Sequence, residues 1–214
     1  MKKTSLFLFT LVCMISFSCN SKSDKKPDAA KKDTVTKKKE PVKPEPEPEV
    51  KYQRPPIINI VDTVSPKRII AYSKDSAATF ERISIKLAKQ YGTKLAEYIK
   101  KNNLKMAGAP MAWYRKPKAP YFFEAGVQLN KKGTKPVAGV QVRELPIGKV
   151  VVAHFYGPYE LIPQGYDAVK EYIKDKKKIT AGAPYEIYVT DPVDKKGKAV
   201  DPYKVQTDIV FPIR

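Results

Sequence analysis

The sequence predicts an α+β fold: a duplicated β-α-β-β repeat with pseudo-twofold symmetry, forming antiparallel sheets with helices packed on them. Three observations predict it. Two four-residue signatures recur at a common offset of 74: Glu-Tyr-Ile-Lys at 97–100 and 171–174, and Ala-Gly-Ala-Pro at 107–110 and 181–184. An apolar pattern with three- and four-residue steps precedes each copy, as a helix requires. Alternating β-branched and aromatic runs follow each copy, as paired strands require.

Ahead of the repeats the chain reads as an address and a tether. Lys2 and Lys3 precede an apolar run, Leu6–Ile15. That run is shorter than the ~20 residues of a membrane span, so residues 1–18 read as an export signal. Ser18 before Cys19 resembles the cleavage motif of bacterial lipoproteins. That resemblance implies acylation of Cys19, membrane attachment, and a place in the cell envelope facing periplasm or surface. Cys13 falls inside the signal, so no thiol is left for catalysis, metal binding or a disulfide. Residues 19–56 are rich in Lys, Glu, Asp and Pro and too poor in apolar side chains to offset their ordering entropy. They read as a disordered spacer, with the Pro44–Glu49 alternation favouring an extended form. The net charge is +19, with 41 Lys+Arg against 22 Asp+Glu. The Lys residues are scattered and no basic stripe alternates with aromatics, so nucleic acid is not an expected partner.

The folded part spans 57–214, with repeat one over 57–129 and repeat two over 137–214. Residues 58–60 and 67–71 of repeat one align with 140–142 and 149–153 of repeat two, and both have strand composition. A helix follows in each. Phe80, Ile83, Leu87, Tyr91, Leu95 and Tyr98 mark the apolar face of the first, which Gly92 weakens or bends. Leu161, Gly165, Val169, Tyr172 and Ile173 mark the second. Gly108 and Gly182 are placed as left-handed helix caps, with Pro110 and Pro184 stopping any continuation. A hairpin closes each copy: 111–115 with 121–129, and 185–190 with 205–213.

Four stretches resemble the GyrI-like effector-binding domain, a superfamily that also includes the SOUL haem-binding proteins. They are residues 181–192 (Ala-Gly-Ala-Pro-Tyr-Glu-Ile-Tyr-Val-Thr-Asp-Pro), 157–160 (Gly-Pro-Tyr-Glu), 124–127 (Glu-Ala-Gly-Val) and 207–213 (Thr-Asp-Ile-Val-Phe-Pro-Ile). The resemblance implies a small-molecule-binding domain whose pocket carboxylate, ringed by aromatics, takes the cationic centre of a lipophilic ligand. It implies that role for Glu124. In some relatives such a carboxylate serves hydrolysis, for which Glu124 with Tyr188 is the candidate pair.

Strand parity selects the other candidates. Residues 121, 123, 125, 127 and 129 form one apolar face, so Phe122, Glu124, Gly126 and Gln128 point the other way. By the same parity Asp208 matches Glu124 in repeat two, and the two are expected to aim at a shared crevice. Tyr114 and Tyr188 are expected to wall it. Glu186 shares the face of Tyr188, while Tyr72, Tyr156 and Tyr159 are rim candidates. Trp113, on the opposite face from Tyr114, reads as core. The lone His154 reads as structural, and no metal or other cofactor is expected. The expected function is binding of an amphipathic ligand that can carry positive charge. A hydrolase and a non-catalytic interaction lipoprotein are the alternatives.

Overall fold

The computed structural model describes residues 54–115 and 118–214. The export signal, Cys19 and nearly all of the spacer lie outside the described residues. Among the described residues, no helix is long and apolar enough to cross a membrane.

Repeat one runs β1 (Ile57–Ser65), β2 (Arg68–Ala77), α1 (Glu81–Gln90), a π-turn (Tyr91–Leu95), α2 (Ala96–Lys101), β3 (Met111–Tyr114) and β4 (Tyr121–Leu129). Repeat two runs β5 (Val140–Leu145), β6 (Gly148–Tyr156), a short 3₁₀ turn (Tyr159–Leu161), α3 (Ile162–Asp175), β7 (Tyr185–Tyr188) and β8 (Gln206–Pro212). Both β-rich runs ahead of each helix are strands, so each repeat has one strand more than the β-α-β-β count. All eight strands join one antiparallel sheet in the order β1-β6-β8-β7-β3-β4-β2-β5.

That order exchanges strands between the repeats. β1 pairs with β6 of repeat two, and β5 pairs with β2 of repeat one. The repeats meet at β3 and β7, where Met111 lies opposite Ile187 and Ala112 opposite Glu186. Ala112 and Glu186 are themselves 74 residues apart, so the pseudo-twofold passes through this pair.

Both helices lie on one face of the sheet. The first covers a core of Ile83, Leu87, Leu95 and Tyr98 with Ala71, Phe123, Ala125 and Val127. The second covers Val169 and Ile173 with Val151, Ala153, Phe155 and Ile209. Burying such side chains stabilises the fold by about 1.5–3 kcal/mol each. The helix-free face has its own cluster: Ile70, Met111, Trp113, Val150, Val152, Tyr185 and Val210. Trp113 is buried, with its ring 5.2 Å from that of Tyr185. Gly126 makes room for it, since a Cβ there would stand 2.8 Å from Trp113 Cζ3.

The helix caps differ from expectation. Neither Gly108 nor Gly182 is left-handed; Asn103 (φ 49°) and Lys177 (φ 51°) are. The helices stop earlier, at Lys101 and Asp175, each in a paired turn. Leu104 N–H donates to Ile99 O at 3.0 Å and Asn103 N–H to Lys100 O at 3.2 Å. Lys178 and Lys177 repeat the pattern to Ile173 and Lys174. These two bonds satisfy carbonyls that a helix end leaves open. The Ala-Gly-Ala-Pro segments bend at Gly108 and Gly182 instead, and lie against the last strands: Ala107 N–H donates to Gln128 O, and Ala181 N–H to Pro212 O.

Gly92 marks the π-turn. Core positions 83, 87, 91 and 95 recur every four residues, which drifts off the face of a 3.6-residue helix. One wider turn brings Leu95 back to the core. Repeat two spaces its positions 162, 166, 169 and 173 by four, three and four, and keeps a regular helix. The turn is therefore a one-residue insertion relative to α3, and it pairs Tyr91 with Tyr166. Deleting Gly92 is expected to give a regular helix with every core side chain in place. Its melting temperature by circular dichroism should equal or exceed that of the parent, because a helical Gly costs about 1 kcal/mol. A fall of several degrees would show that the turn is needed for packing.

Candidate functional site

Glu186 lies beside the pseudo-twofold, on the helix face, and is 3% exposed. Its symmetry mate, Ala112, carries no charge. The single carboxylate thus sits in a frame of tyrosines drawn from both repeats. Tyr166, on α3, donates to Glu186 Oε1 at 3.1 Å. The hydroxyls of Tyr114 and Tyr188 meet at 2.8 Å across the junction. The Tyr159 ring stands edge-on to Tyr188 at 6.1 Å. Tyr91 donates to Met111 O at 2.7 Å. All five rings are only partly buried, so the carboxylate is closed off by side chains that themselves reach solvent.

Burial dominates the electrostatics. It pushes Glu186 up to about 7, although hydrogen bonds from Tyr188 and Tyr166 pull the other way. The tyrosines respond in kind. Burial and then the Glu186 charge raise Tyr159 to about 12 and push Tyr91, Tyr114, Tyr166 and Tyr188 further up. All five are therefore neutral donors. Glu186 is the one group here that changes charge near neutral pH.

The structure separates the residues that the sequence grouped. Tyr114, Tyr188 and Glu186 come together, joined by Tyr159. Glu124 does not join them, because cross-strand partners share a face: Tyr114 pairs with Phe123, and Trp113 pairs with Glu124. Glu124 therefore lies on the helix-free face. It is 2% exposed and held by Arg115 at 2.6 Å and Arg143 at 2.7 Å. Burial works to raise it, but the hydrogen bonds from Arg115 and Arg143 outweigh burial and hold it below the usual carboxylate range. Arg143 is stacked on Trp113 at 4.0 Å and on Tyr72 at 4.4 Å. Such a neutralised carboxylate is not free to receive a cation.

Asp208 and Tyr156 also lie on the helix-free face, in a separate network. His154 Nδ1 and Asp208 Oδ1 are 2.7 Å apart, Gln206 donates to Asp208 at 2.8 Å, and Tyr156 donates to Gln206 at 2.9 Å. Phe122 is 41% exposed on the same face as Glu124. Glu124 and Asp208 thus share a side of the sheet but are committed to separate partners, Glu124 to Arg115 and Arg143 and Asp208 to His154 and Gln206. Tyr91 and Tyr166 were not among the expected site residues. The helical pattern hid Tyr91 as core, and Tyr166 was legible three residues before Val169 on the same helix face.

A concavity of about 600 Å³ lies away from the tyrosines, against Arg82, Ile85, Lys86 and Lys89 of α1. It is open to solvent, and its carboxylate, Asp75, is tied to Lys86 at 3.2 Å. It lacks the buried charge that marks the tyrosine site.

Comparison with known families decides the assignment. Residues 94–214 match the model of the GyrI-like small molecule binding domain, and so span Glu186 and four of the five tyrosines, Tyr91 lying just ahead of the match. The chain belongs to this family. Among solved structures, the GyrI-like domain superimposes on the EcmrR C-terminal domain with a TM-score of 0.61 and 18% identity, covering 74% of this chain and 98% of that one. It matches EcmrR in its cryo-EM complex with DNA equally well, at a TM-score of 0.61 and 19% identity, covering 73% of this chain but 57% of EcmrR's length. An uncharacterized conserved protein from Listeria innocua matches at a TM-score of 0.53 and 12% identity, over 75% of this chain and 93% of its own. At these identities the likeness is one of fold. A search of curated proteins finds no match.

Proposed function

We propose that this protein binds an amphipathic small molecule at the junction of its two repeats, and that the preferred ligand carries a positive charge. The observation that carries this reading is Glu186: one buried carboxylate beside the symmetry axis, facing tyrosines and no basic partner among its described contacts. A buried carboxylate without a counter-ion is costly, and an incoming cation removes that cost. The tyrosine faces add cation–π attraction. We further propose that the domain works on a membrane surface in the cell envelope, held by lipid on Cys19. The apolar run, Cys19 and the Pro-rich spacer support that part. Loss of palmitate labelling and of membrane fractionation in Cys19→Ser would be the expected result.

Ligand binding is tested by titrating an aryl-phosphonium cation and its neutral phosphine oxide between pH 6 and pH 8. Cation binding requires ionised Glu186. With its pKa at about 7, cation affinity is expected to rise about tenfold across that range, while the neutral compound shows no trend. A flat cation profile, or no binding by either compound, sinks the reading. A second reading is hydrolysis of a small reactive compound. It is favoured by the same near-neutral carboxylate beside the Tyr188 hydroxyl, which suits general acid–base work. Turnover that Glu186→Gln abolishes would support it.

A further inference from the structure

The outer edge of β1 is the least defended part of the sheet. β1 is nine residues long and runs in unbroken register against β6, from Ile57 opposite Tyr156 to Ser65 opposite Gly148. Among the described residues no strand pairs with its other side. Such an edge offers a row of backbone donors and acceptors, which proteins normally blunt with Lys, Pro, a bulge or a short strand. β1 has none of these within its nine residues, its prolines, Pro56 and Pro66, standing just outside them. Its single charge, Asp62, is held against the helix side by Lys178 at 3.0 Å and Tyr172 at 2.9 Å. Ile57, Val61 and Val64 are 55%, 39% and 56% exposed. The opposite edge, β5, is blunted: it has six residues, and its Arg143 and Glu144 are engaged by Glu124 and Lys67.

We propose that β1 is a self-association edge, and that two copies of this chain pair antiparallel through it about a twofold axis near Val61. Charge identifies the occupant. Residues 55–66 contain no Lys or Arg, in a chain that has 41 of them and a net charge of +19. Two such molecules repel over most of their surfaces and approach at least cost where positive charge is absent. An acidic partner would be drawn to the Lys-bearing faces instead. The strand also tolerates its own image. Pairing about Val61 sets Asp62 against Ile60, Asn59 against Thr63 and Ile58 against Val64, so no like charges oppose. The result is a closed, isologous dimer in which both outer edges of β1 disappear. It stands independently of the ligand site.

Sedimentation velocity tests this on the chain from residue 20 onward, which keeps all of the described residues. A dimer is expected at ~50 μM. Val61→Lys and Thr63→Lys, both at exposed positions, are each expected to weaken it by at least about tenfold without lowering the melting temperature. Amide exchange along β1 is expected to quicken in both variants. A monomer at every concentration up to ~500 μM overturns the proposal. So does a dimer that both lysines leave intact.

Discussion

Replacing Glu186 with Gln is expected to stabilise the protein at pH 8 while removing the pH dependence of cation binding. Between 4.5, the value of a free Glu, and about 7, the folded chain keeps a proton on Glu186 that the unfolded chain has released. Stability therefore falls as pH rises through that window, and the loss is complete above about 7. The full cost is on the order of 3 kcal/mol. Gln keeps the shape and stays neutral, so Glu186→Gln should melt roughly 5–10 °C higher at pH 8 and nearly level with the parent at pH 4. Cation affinity should drop to the low-pH value at every pH, since the charge is gone. Thermal melts at the two pH values check the first part and phosphonium titration checks the second. Equal melting points at pH 8 would mean that solvent already reaches the carboxylate.

Glu124→Ala is expected to destabilise the fold strongly, and to do so without touching the ligand site. Removing one partner of a buried pair leaves the other charged and uncompensated, at a cost of about 3–5 kcal/mol. Arg143 would be the stranded group. Its Nε and Nη2 are already buried without hydrogen-bond partners, so the Glu124 bond at Nη1 is its main compensation. Arg115 is 57% exposed and can turn to water. Denaturant unfolding should show the loss. Cation binding, measured below the new transition, should be unchanged. Glu124→Leu combined with Arg143→Met should recover most of the stability, because an apolar pair carries no desolvation cost. Weakened cation binding in Glu124→Gln with stability intact would return Glu124 to the ligand site.

The duplication was legible because it left identical residues at a fixed offset. Strand parity was legible because 121–129 and 207–213 alternate cleanly, and both faces came out as read: Phe123, Ala125 and Val127 are buried under the first helix, and Ile209 and Phe211 under the second. What alternation within one strand cannot supply is register between strands. Parity alone groups Tyr114 with Glu124, whereas the ladder sets it beside Phe123, and a slip of one residue moves a side chain to the other face. The exchange of β1 and β5 was invisible for a related reason, since composition marks a strand but not its neighbour. Glu186 shared a face with Tyr188 in the sequence itself. Its prominence depends on having no basic partner, and that is known only once the Lys and Arg side chains are in space. Glu124 shows the converse, since Arg115 and Arg143 reach it from positions 9 and 19 residues away.

The exchanged strands also set the order in which the chain can fold. β1 leaves the ribosome first but has no partner until β6 is made, because Ile57 and Ser65 pair with Tyr156 and Gly148. β2 in turn reaches its second neighbour only when β5 arrives. Neither half can finish its sheet during synthesis of that half alone, so the last step closes both at once. Contacts this distant in sequence are slow to form, since loop closure comes before any gain from pairing. A chain of this topology completes its sheet only when nearly all of it has been made. Cutting it between the repeats, at residues 130–139, is expected to give two fragments that stay unfolded apart and fold when mixed.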